Sequence, residues 1–333
     1  MMRLPKMEYV TPDTLEEACG ILEKEGGGAR ILAGGTDLLV ACKLRNLNPA
    51  LIVSLRCIQD LKGISFEVGH GLRIGAMTPL ADIRNDAAIL RHYPALAQAA
   101  ASVGAIQLQH MGTLGGNLCL DTRCIYYNQS ESWRKSRPAC FKMGGQVCHV
   151  VPKGGSCYAV FSGDMAPALI AHDALARLVS KSGERVVPVE ELYTGDGKRP
   201  IGLNPGEILS NVMIKPPDGA NSIYLKYRVR PAIDFPLAGV AVRLKTGKKR
   251  VCEDCSIVLT AVGPSPNEAA EAGDLLKGKP IGDGLVYQAA EKAAGSAYPV
   301  ANVAGSTPSY RRRMVEILTR RALIALSKDH SVS

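Results

Sequence analysis

The sequence predicts an α+β protein built from more than one subdomain, and three observations support this prediction. The chain has 333 residues, which exceeds the usual size of a single hydrophobic core. In the N-terminal part, short apolar runs bounded by glycine alternate with helical patterns, as expected for α/β units. The last third instead has three strand-like runs followed by alanine-rich helices, which indicates a separate C-terminal domain.

Composition and charge narrow the class of protein. Hydrophobic residues make up 46% of the chain, and no apolar run approaches the roughly 18 residues of a membrane span, so we expect a soluble protein without a membrane segment. The N-terminus, MMRLPKMEYV, lacks the apolar segment of a secretion signal, so we expect a cytoplasmic location. The net charge is +9, but the basic residues are scattered and only 5% of residues are aromatic, which argues against nucleic acid as a partner. The densest basic runs, 248–250 and 311–313, fit solvated faces or subunit contacts, although a basic patch also suits an acidic electron carrier.

The first 57 residues are predicted to form one small α/β subdomain. Leu15, Ala18 and Leu22 lie on one face of a predicted helix that three glycines terminate. A short strand at 29–33 then enters a glycine turn, and the apolar run at 51–56 is predicted to be a second buried strand.

Residues 58–215 form the second predicted subdomain. Residues 63–75 alternate like a hairpin, and helical patterns follow at 79–90 and 94–103. A glycine-rich passage and a long irregular segment come next, before regular structure resumes at SGDMAPALI. The PPDGA segment is the predicted linker to a C-terminal domain at 221–333, in which we expect strands at 222–229, 237–245 and 251–262 and helices near 267–276, 284–295 and 308–327.

Two glycine-rich loops are candidates for binding a phosphorylated ligand. The first glycine loop, LAGGTDLL at 32–39, directly follows a buried strand, and consecutive glycine amides can form an anion-binding nest for a pyrophosphate. The second glycine loop, GTLGGN at 112–117, has the same chemistry. Neither is the GxGxxG dinucleotide fingerprint, and taken singly each fits a tight turn better than a ligand loop.

Four of the ten cysteines lie in the long irregular segment, at Cys124, Cys140, Cys148 and Cys157. In a reducing compartment, clustered thiols more often bind metal or do redox work than form disulfides. The segment lacks the paired C-x2-C spacing typical of zinc, whereas widely spaced cysteines in a long loop can supply the four thiolates of a cubane cluster. The residues alone leave open an iron–sulfur cluster, a zinc ion and unpaired structural thiols.

Other residues near these cysteines are weaker candidates. Cys252 and Cys255 form a C-x2-C, but in a strand an offset of three places them on opposite faces, so plain packing is predicted. His149 is predicted to be a loop residue with a local hydrogen bond, with metal ligation as the alternative. Three aromatic residues fit either a shield around a cluster or ordinary contacts that fix the loop: Tyr126, Tyr127 and Trp133.

The order of the motifs resembles that of the FAD-binding subunits of the molybdenum hydroxylases, the xanthine dehydrogenase and carbon monoxide dehydrogenase group. LAGGTDLL, then GTLGGN 80 residues later, then SGDMAPAL and PGEIL occur in the family's order, and the resemblance covers essentially the whole chain. It implies a two-subdomain FAD-binding domain, residues 1–57 and 58–215, with the flavin between its subdomains. It also implies a CO dehydrogenase flavoprotein-like C-terminal domain at 221–333.

The resemblance also implies which residues bind FAD. The two glycine loops would hold the pyrophosphate and the ribityl chain, and three isolated, less specific residues would add contacts to the flavin. The implied set is Ile31, Leu32, Ala33, Gly34, Gly35, Thr36, Asp37, Leu38, Thr113, Leu114, Gly115, Gly116, Asn117, Asp164, Leu209 and Lys226.

The cysteine-containing segment makes this chain differ from most of that group. Here 46 residues separate Asn117 from Asp164, whereas most flavin subunits connect the same two motifs by a much shorter segment. The insertion, residues 118–160, resembles the one that carries an additional [4Fe-4S] cluster in the beta subunits of 4-hydroxybenzoyl-CoA reductases. The resemblance implies four cluster ligands, Cys124, Cys140, Cys148 and Cys157.

The function implied by this resemblance is electron transfer, with no catalytic residue on this chain. Electrons from reduced ferredoxin would pass through [4Fe-4S] and FAD to a gamma subunit with [2Fe-2S] and a molybdopterin-binding alpha subunit, in a dimer of heterotrimers. The complex would convert 4-hydroxybenzoyl-CoA to benzoyl-CoA in anaerobic aromatic degradation. One alternative is the FAD subunit of a related hydroxylase of purines, N-heterocycles or aldehydes, and another is a zinc-stabilised binding module without redox activity.

Overall fold

The computed structural model describes residues 3–302 and 304–328, and the described chain contains three β-sheets. The first sheet lies within the N-terminal 57 residues, whose elements are β1 (Glu8–Val10), α1 (Leu15–Glu25), β2 (Ala29–Leu32), α2 (Leu38–Lys43) and β3 (Leu51–Ser54). Its three strands are parallel in the order β1-β3-β2, and β3 is buried along its whole length. The strand, glycine turn and second strand predicted from the sequence are confirmed.

The second sheet is antiparallel and has five strands. Its elements are β4 (Ile64–Glu67), β5 (Gly71–Gly75), α3 (Leu80–Asn85), α4 (Ala87–His92), α5 (Pro94–Ser102), α6 (Ile106–Met111), α7 (Leu114–Leu118), α8 (Glu131–Lys135), α9 (Met165–Ile170), β6 (Leu175–Ser180), β7 (Gly183–Pro188) and β8 (Ile208–Ile214). The strand order is β4-β5-β8-β6-β7, so the predicted hairpin at 63–75 forms one edge. The helical pattern at 79–90 is divided at Asp86, whose carboxylate caps α4 by accepting the Ile89 N–H at 3.0 Å.

The third sheet and three helices form the C-terminal domain. Its elements are β9 (Asn221–Tyr227), β10 (Ala238–Thr246), β11 (Cys252–Thr260), β12 (Asn267–Glu268), α10 (Ala270–Leu276), α11 (Asp283–Gly295) and α12 (Pro308–Lys328). The strand order is β12-β11-β10-β9, with every pair antiparallel. Tyr224, Ala241 and Val258 of this sheet join the core of the second subdomain, so the C-terminal domain packs directly on it.

The predicted orientation of Cys252 and Cys255 is wrong, although their predicted role in packing agrees with the structure. Both thiol side chains are buried in the core of the C-terminal domain. Cys252 pairs with Thr246 and Cys255 with Leu244, because a bulge in the ladder adds one residue to β11 between them. The extra residue shifts the alternation of side chains along β11 by one position. Cys252 and Cys255, although three residues apart, therefore point to the same face of the sheet.

The prediction that the basic run 311–313 forms a solvated face is wrong at its first residue. Arg311 is buried, and its guanidinium donates to the carbonyl oxygens of Leu237 and Val300, both at 2.7 Å, and to that of Ala261. Burial lowers the pKa of Arg311 to about 10, which still leaves it charged at neutral pH. Arg311 therefore ties α12 to three loops of the C-terminal domain.

Within residues 3–302 and 304–328, every helix is too short or too polar to span a lipid bilayer.

Candidate cofactor-binding sites

The first glycine loop connects the end of β2 to the start of α2, and its two glycines are required for different reasons. Gly35 has a φ of 73°, a left-handed conformation that residues with a Cβ rarely adopt. Gly34 packs against the backbone at the end of α6, where an added Cβ would lie 1.8 Å from the carbonyl oxygen of Met111. A side chain at either position would therefore change the shape of the loop.

The backbone N–H groups of this loop are available to a ligand. Among the described residues, no protein acceptor receives a hydrogen bond from the N–H of Gly34, Gly35, Thr36 or Asp37. Native proteins pair nearly all backbone N–H groups that are shielded from water, so four consecutive unpaired donors mark a place for solvent or an anion. The first glycine loop thus fits the pyrophosphate of FAD by its donor chemistry.

The second glycine loop has the same composition but uses its N–H groups internally. The hydroxyl of Thr113 caps α7 by accepting the Gly116 N–H at 3.1 Å. The N–H groups of Leu114 and Gly115 donate to the carbonyl oxygens of Thr78 and Ala76, at 3.0 and 2.7 Å. The amides of residues 114–116 are therefore already satisfied, and what this part of the loop offers a ligand is its small size.

The structure brings the two glycine loops together. A Cβ built at Gly116 would lie 3.8 Å from the Cβ of Ala33, and one built at Gly112 would lie 3.7 Å from the hydroxyl of Thr36. The buried side chain of Asn117 points elsewhere, since its oxygen accepts the Met165 N–H at 2.9 Å and so links α7 to α9.

Asp164 and Lys226 form a buried ion pair with each other. The Nζ of Lys226 lies 3.1 Å from one oxygen of the Asp164 carboxylate, and the Tyr224 hydroxyl donates to the other at 2.7 Å. Burial lowers the pKa of Lys226, and the Asp164 charge opposes that effect. Leu209 lies in the buried core along β8, so the structure joins two of the three isolated residues and separates the third.

Arg123 is a candidate functional residue that no sequence motif indicates. Its guanidinium forms an ion pair with Asp37 of the first glycine loop and lies 4.6 Å from the centre of the Phe235 ring. Burial lowers its pKa to about 10, and its Nε has no hydrogen-bond partner in the described chain. A phosphate at the first glycine loop would otherwise face an uncompensated Asp37 carboxylate, and Arg123 removes that repulsion. The only signal for Arg123 in the sequence is its position directly before Cys124.

The insertion is closed by a backbone bridge and is fixed to the first subdomain by side chains. The N–H and carbonyl of Arg123 pair with those of Val160, both at 2.7 Å, and this bridge closes the base of the insertion. The buried Arg134 donates to the carbonyl oxygen of Arg45 at 2.9 Å, and the Tyr127 hydroxyl donates to that of Asn46 at 3.1 Å. These bonds hold the insertion against the loop that follows α2.

A buried lysine holds the other side of the insertion. The Nζ of Lys142 donates to the Asp121 carboxylate at 2.6 Å and to the carbonyl oxygen of Gly197 at 3.0 Å. It also lies 5.0 Å from the centre of the Tyr127 ring. The Lys142 side chain is therefore held in the wall of the insertion, beside the Asp121 carboxylate.

The four cysteines of the insertion line one cavity. This cavity contains about 330 Å³ of atom-free space, part of it open to solvent, and is lined mainly by apolar surface. Two of the thiols accept backbone hydrogen bonds, from Tyr126 N–H to Cys124 Sγ at 3.4 Å and from Val151 N–H to Cys148 Sγ at 3.3 Å. The four residues predicted as ligands thus converge from different parts of the insertion.

The thiols also affect one another electrostatically. Burial raises the pKa of Cys124, and the neighbouring Cys140 and Cys148 raise it further. Burial likewise raises the pKa of Cys157, and Cys124 adds to that effect.

The arrangement does not fit a single metal ion. Within the described residues, no group of three or more His, Cys, Asp or Glu side chains is arranged to hold one. A zinc ion draws its thiolates to about 2.3 Å from one centre, whereas a cubane places each thiolate on a different iron atom and so needs wider spacing. The four thiols match the ligand type of zinc and of a cubane alike, and the choice between these two cofactors stays a prediction.

The remaining candidates of the insertion surround this cavity. His149 makes the predicted local hydrogen bond, with its Nε2 2.8 Å from the carbonyl oxygen of Pro138. Tyr126 lines the cavity, stacks on the His149 ring at 4.2 Å and meets the Trp133 ring edge-on at 5.2 Å. Tyr126 therefore makes the contacts that fix the loop, and its predicted role as a shield around a cluster stays a prediction.

Comparison with known proteins gives the family. Residues 5–217 match the model of the FAD binding domain in molybdopterin dehydrogenase, and residues 223–326 match the CO dehydrogenase flavoprotein C-terminal domain. The medium chain of glyceraldehyde dehydrogenase from Sulfolobus acidocaldarius is 29% identical over 96% of this chain and 97% of its own length.

Solved structures agree with this assignment. CO dehydrogenase from Oligotropha carboxidovorans superposes with a TM-score of 0.81 at 26% identity, over 98% of this chain and 99% of the other. Quinoline 2-oxidoreductase from Pseudomonas putida 86 superposes with a TM-score of 0.79 at 25% identity, over 98% of this chain and 99% of the other.

Fold and site define a flavin-binding oxidoreductase subunit. The chain belongs to the molybdopterin dehydrogenase FAD-binding family, the FAD subunits of molybdenum hydroxylase-type oxidoreductases.

Proposed function

We propose that this chain is the electron-transfer subunit of a molybdenum hydroxylase-type complex and binds a [4Fe-4S] cluster in addition to FAD. The observation that carries the proposal is the convergence of four cysteines on one cavity, in an insertion whose base residue, Arg123, contacts the flavin loop. FAD exchanges one or two electrons, and a cluster exchanges them singly. The chain therefore connects one-electron and two-electron chemistry without a substrate site of its own.

The first glycine loop provides the main binding site for FAD in this proposal. The N–H groups of residues 34–37 donate to the pyrophosphate, and Arg123 compensates the nearby Asp37 carboxylate. The second glycine loop supports the dinucleotide by allowing close approach, because the amides of residues 114–116 are in use. Asp164, Leu209 and Lys226 stay proposed FAD contacts; Asp164 and Lys226 pair with each other, and Leu209 lies in the buried core.

The insertion provides the ligands of the cluster. Cys124, Cys140, Cys148 and Cys157 each bind one iron atom as a thiolate. Backbone N–H groups already aimed at Cys124 and Cys148 stabilise the negative sulfur, as does the buried Lys142 ammonium in the cavity wall.

The partners in this proposal are two further subunits. The relatives are called medium chains and medium subunits, which supports an assembly with other chains. We propose a molybdopterin-binding alpha subunit and a [2Fe-2S] gamma subunit in a dimer of heterotrimers. This chain then takes electrons from, or gives them to, the gamma subunit.

Two substrate classes follow from different observations. The names of the relatives, which include dehydrogenases of glyceraldehyde and nicotinate, favour a hydroxylase that releases electrons from an aldehyde or N-heterocycle. The resemblance of the insertion to that of the 4-hydroxybenzoyl-CoA reductases supports the reverse direction, the reduction of 4-hydroxybenzoyl-CoA to benzoyl-CoA with reduced ferredoxin as donor. Dehydroxylation of an aromatic ring needs strongly negative potentials, and clusters reach down to about −700 mV.

The test is to purify the complex and assay it with 4-hydroxybenzoyl-CoA, xanthine and aldehydes. The isolated chain, mixed with dithionite and each substrate, serves as the control. We expect the isolated chain to lose its visible colour on reduction but to consume no substrate, and the complex to restore turnover. Product formation by the isolated chain at the rate of the complex would contradict an electron-transfer role. A colourless protein with bound zinc would favour the structural module.

A further inference from the structure

Three side chains of the C-terminal domain hold two consecutive residues of the second subdomain, Gly163 and Asp164. The Tyr224 hydroxyl donates to one oxygen of the Asp164 carboxylate at 2.7 Å, and the Nζ of Lys226 lies 3.1 Å from the other. The Thr260 hydroxyl donates to the Gly163 carbonyl oxygen at 2.9 Å. The position of the Asp164 carboxylate is therefore fixed by groups that lie outside the FAD-binding domain.

The same two residues lie against the second glycine loop. A Cβ built at Gly163 would lie 2.8 Å from the carbonyl oxygen of Asn117, the last residue of that loop. The N–H of Met165 donates to the side-chain oxygen of Asn117 at 2.9 Å. Both chain neighbours of Asp164 thus contact Asn117, so this carboxylate is held beside the proposed FAD site.

Tyr224 is the hydroxyl donor to this carboxylate. Burial raises the pKa of Tyr224, and the Asp164 charge adds to that effect, so the hydroxyl keeps its proton. The Ser102 hydroxyl lies 3.3 Å from the same oxygen but donates at 2.8 Å to the Ala99 carbonyl. On the neighbouring strand β10, Gly239 leaves room for the Tyr224 hydroxyl, since a Cβ there would lie 2.6 Å from its oxygen. The fold therefore contains a specific place for this hydroxyl.

We propose that Tyr224 is a positioning residue that acts on FAD through Asp164, a proposal that rests on the proposed function. Reduction places negative charge on the flavin, so a nearby carboxylate disfavours the reduced form and a nearby ammonium favours it. The proton donated by Tyr224 partly offsets the carboxylate charge inside a buried site, where such an interaction is strong. Tyr224 thereby shifts the balance between the two forms towards reduced FAD without touching the flavin.

The experiment measures the affinity of the full chain, freed of its flavin, for oxidised FAD and for reduced FAD. Tyr224→Phe removes the hydroxyl and keeps the ring. Tyr93→Phe is the matched control, because the buried Tyr93 hydroxyl also donates at 2.7 Å, but to the neutral carbonyl oxygen of Lys215. In Tyr224→Phe we expect the ratio of reduced to oxidised affinity to fall about tenfold, which lowers the two-electron midpoint potential of bound FAD by about 30 mV. The control should keep the wild-type ratio.

A double-mutant cycle separates the electrostatic effect from a structural one. Asp164→Asn removes the charge, so adding Tyr224→Phe to it should leave the affinity ratio unchanged. The proposal would be overturned if Tyr224→Phe kept the wild-type ratio, if it weakened both forms of FAD equally, or if Tyr93→Phe shifted the ratio as much. A shift that persisted in the Asp164→Asn background would overturn it as well. Wild-type chain that binds neither form of FAD would instead refute the proposed function.

Discussion

The first glycine loop and the insertion present their binding groups in opposite ways. The glycine loop offers backbone N–H groups, and its shape depends on the conformation of Gly35 and on the close approach of Gly34 to the backbone at Met111. The insertion offers side-chain thiols, and its shape depends on buried cations, Arg134 and Lys142, that bind carbonyl oxygens of neighbouring segments. Adding one methyl group therefore damages the loop, whereas the insertion is damaged when a thiol or a charge is removed.

The two glycine loops add a second contrast, because similar composition does not mean similar use. In the first loop the N–H groups of residues 34–37 have no protein acceptor among the described residues, and in the second they cap α7 or bind the segment at 76–78. A high glycine content by itself predicts only that another group can approach the backbone of the loop closely. Only the pattern of hydrogen bonds separates a loop that can bind an anion from a loop that supports it.

The largest expected effect is the loss of the cluster when one thiol is replaced. Cys140→Ser or Cys148→Ser removes a ligand from the cavity, so iron should fall from about four atoms per chain towards none. FAD should stay bound, because the free amides of the first glycine loop belong to another segment. The measurement is iron, acid-labile sulfide and flavin per chain. Cys57→Ser, an exposed cysteine outside the cavity, is the control. Unchanged iron would contradict the ligand assignment, and parallel loss of flavin would mean that the insertion shapes the flavin site.

The second largest expected effect is a loss of FAD affinity without a loss of iron. Gly35→Val forces a branched residue into a left-handed conformation and Gly34→Val forces one into backbone atoms, so FAD affinity should fall by more than about tenfold. Iron content should remain that of the wild type, because the thiols are untouched. Gly69→Val, in an open turn, should bind FAD normally. Full flavin retention in both loop variants would show that these glycines only form a turn.

The smallest expected effect concerns the residue that connects the two regions. Arg123→Gln leaves the Asp37 carboxylate without its partner beside the pyrophosphate site, and FAD affinity should fall about three- to tenfold. The double variant Arg123→Gln/Asp37→Asn removes the repulsion and should recover most of the affinity. Equilibrium binding of FAD to the four proteins of the cycle measures this. If the double variant binds as weakly as the single one, Arg123 acts through structure or by touching FAD itself, and our assignment is wrong.

The sequence predicts those parts of the molecule that depend on local patterns. The hairpin at 63–75 and the three C-terminal strands follow from alternation, and the family follows from the order of four motifs. The orientation of Cys255 could not be predicted, because the bulge that reverses it depends on pairing with β10. The roles of Arg123 and Arg311 depend on acceptors far along the chain, and no local pattern indicates them.

The central claim is that one chain binds both FAD and a cubane cluster, and cofactor analysis of the purified wild-type chain tests it most directly. Anaerobically prepared protein should contain about four iron atoms, about four sulfides and about one FAD, with a broad absorption band beneath the flavin peaks. Flavin without iron, or about one zinc ion with no sulfide, would contradict the account and leave the four-cysteine cavity without the role assigned to it.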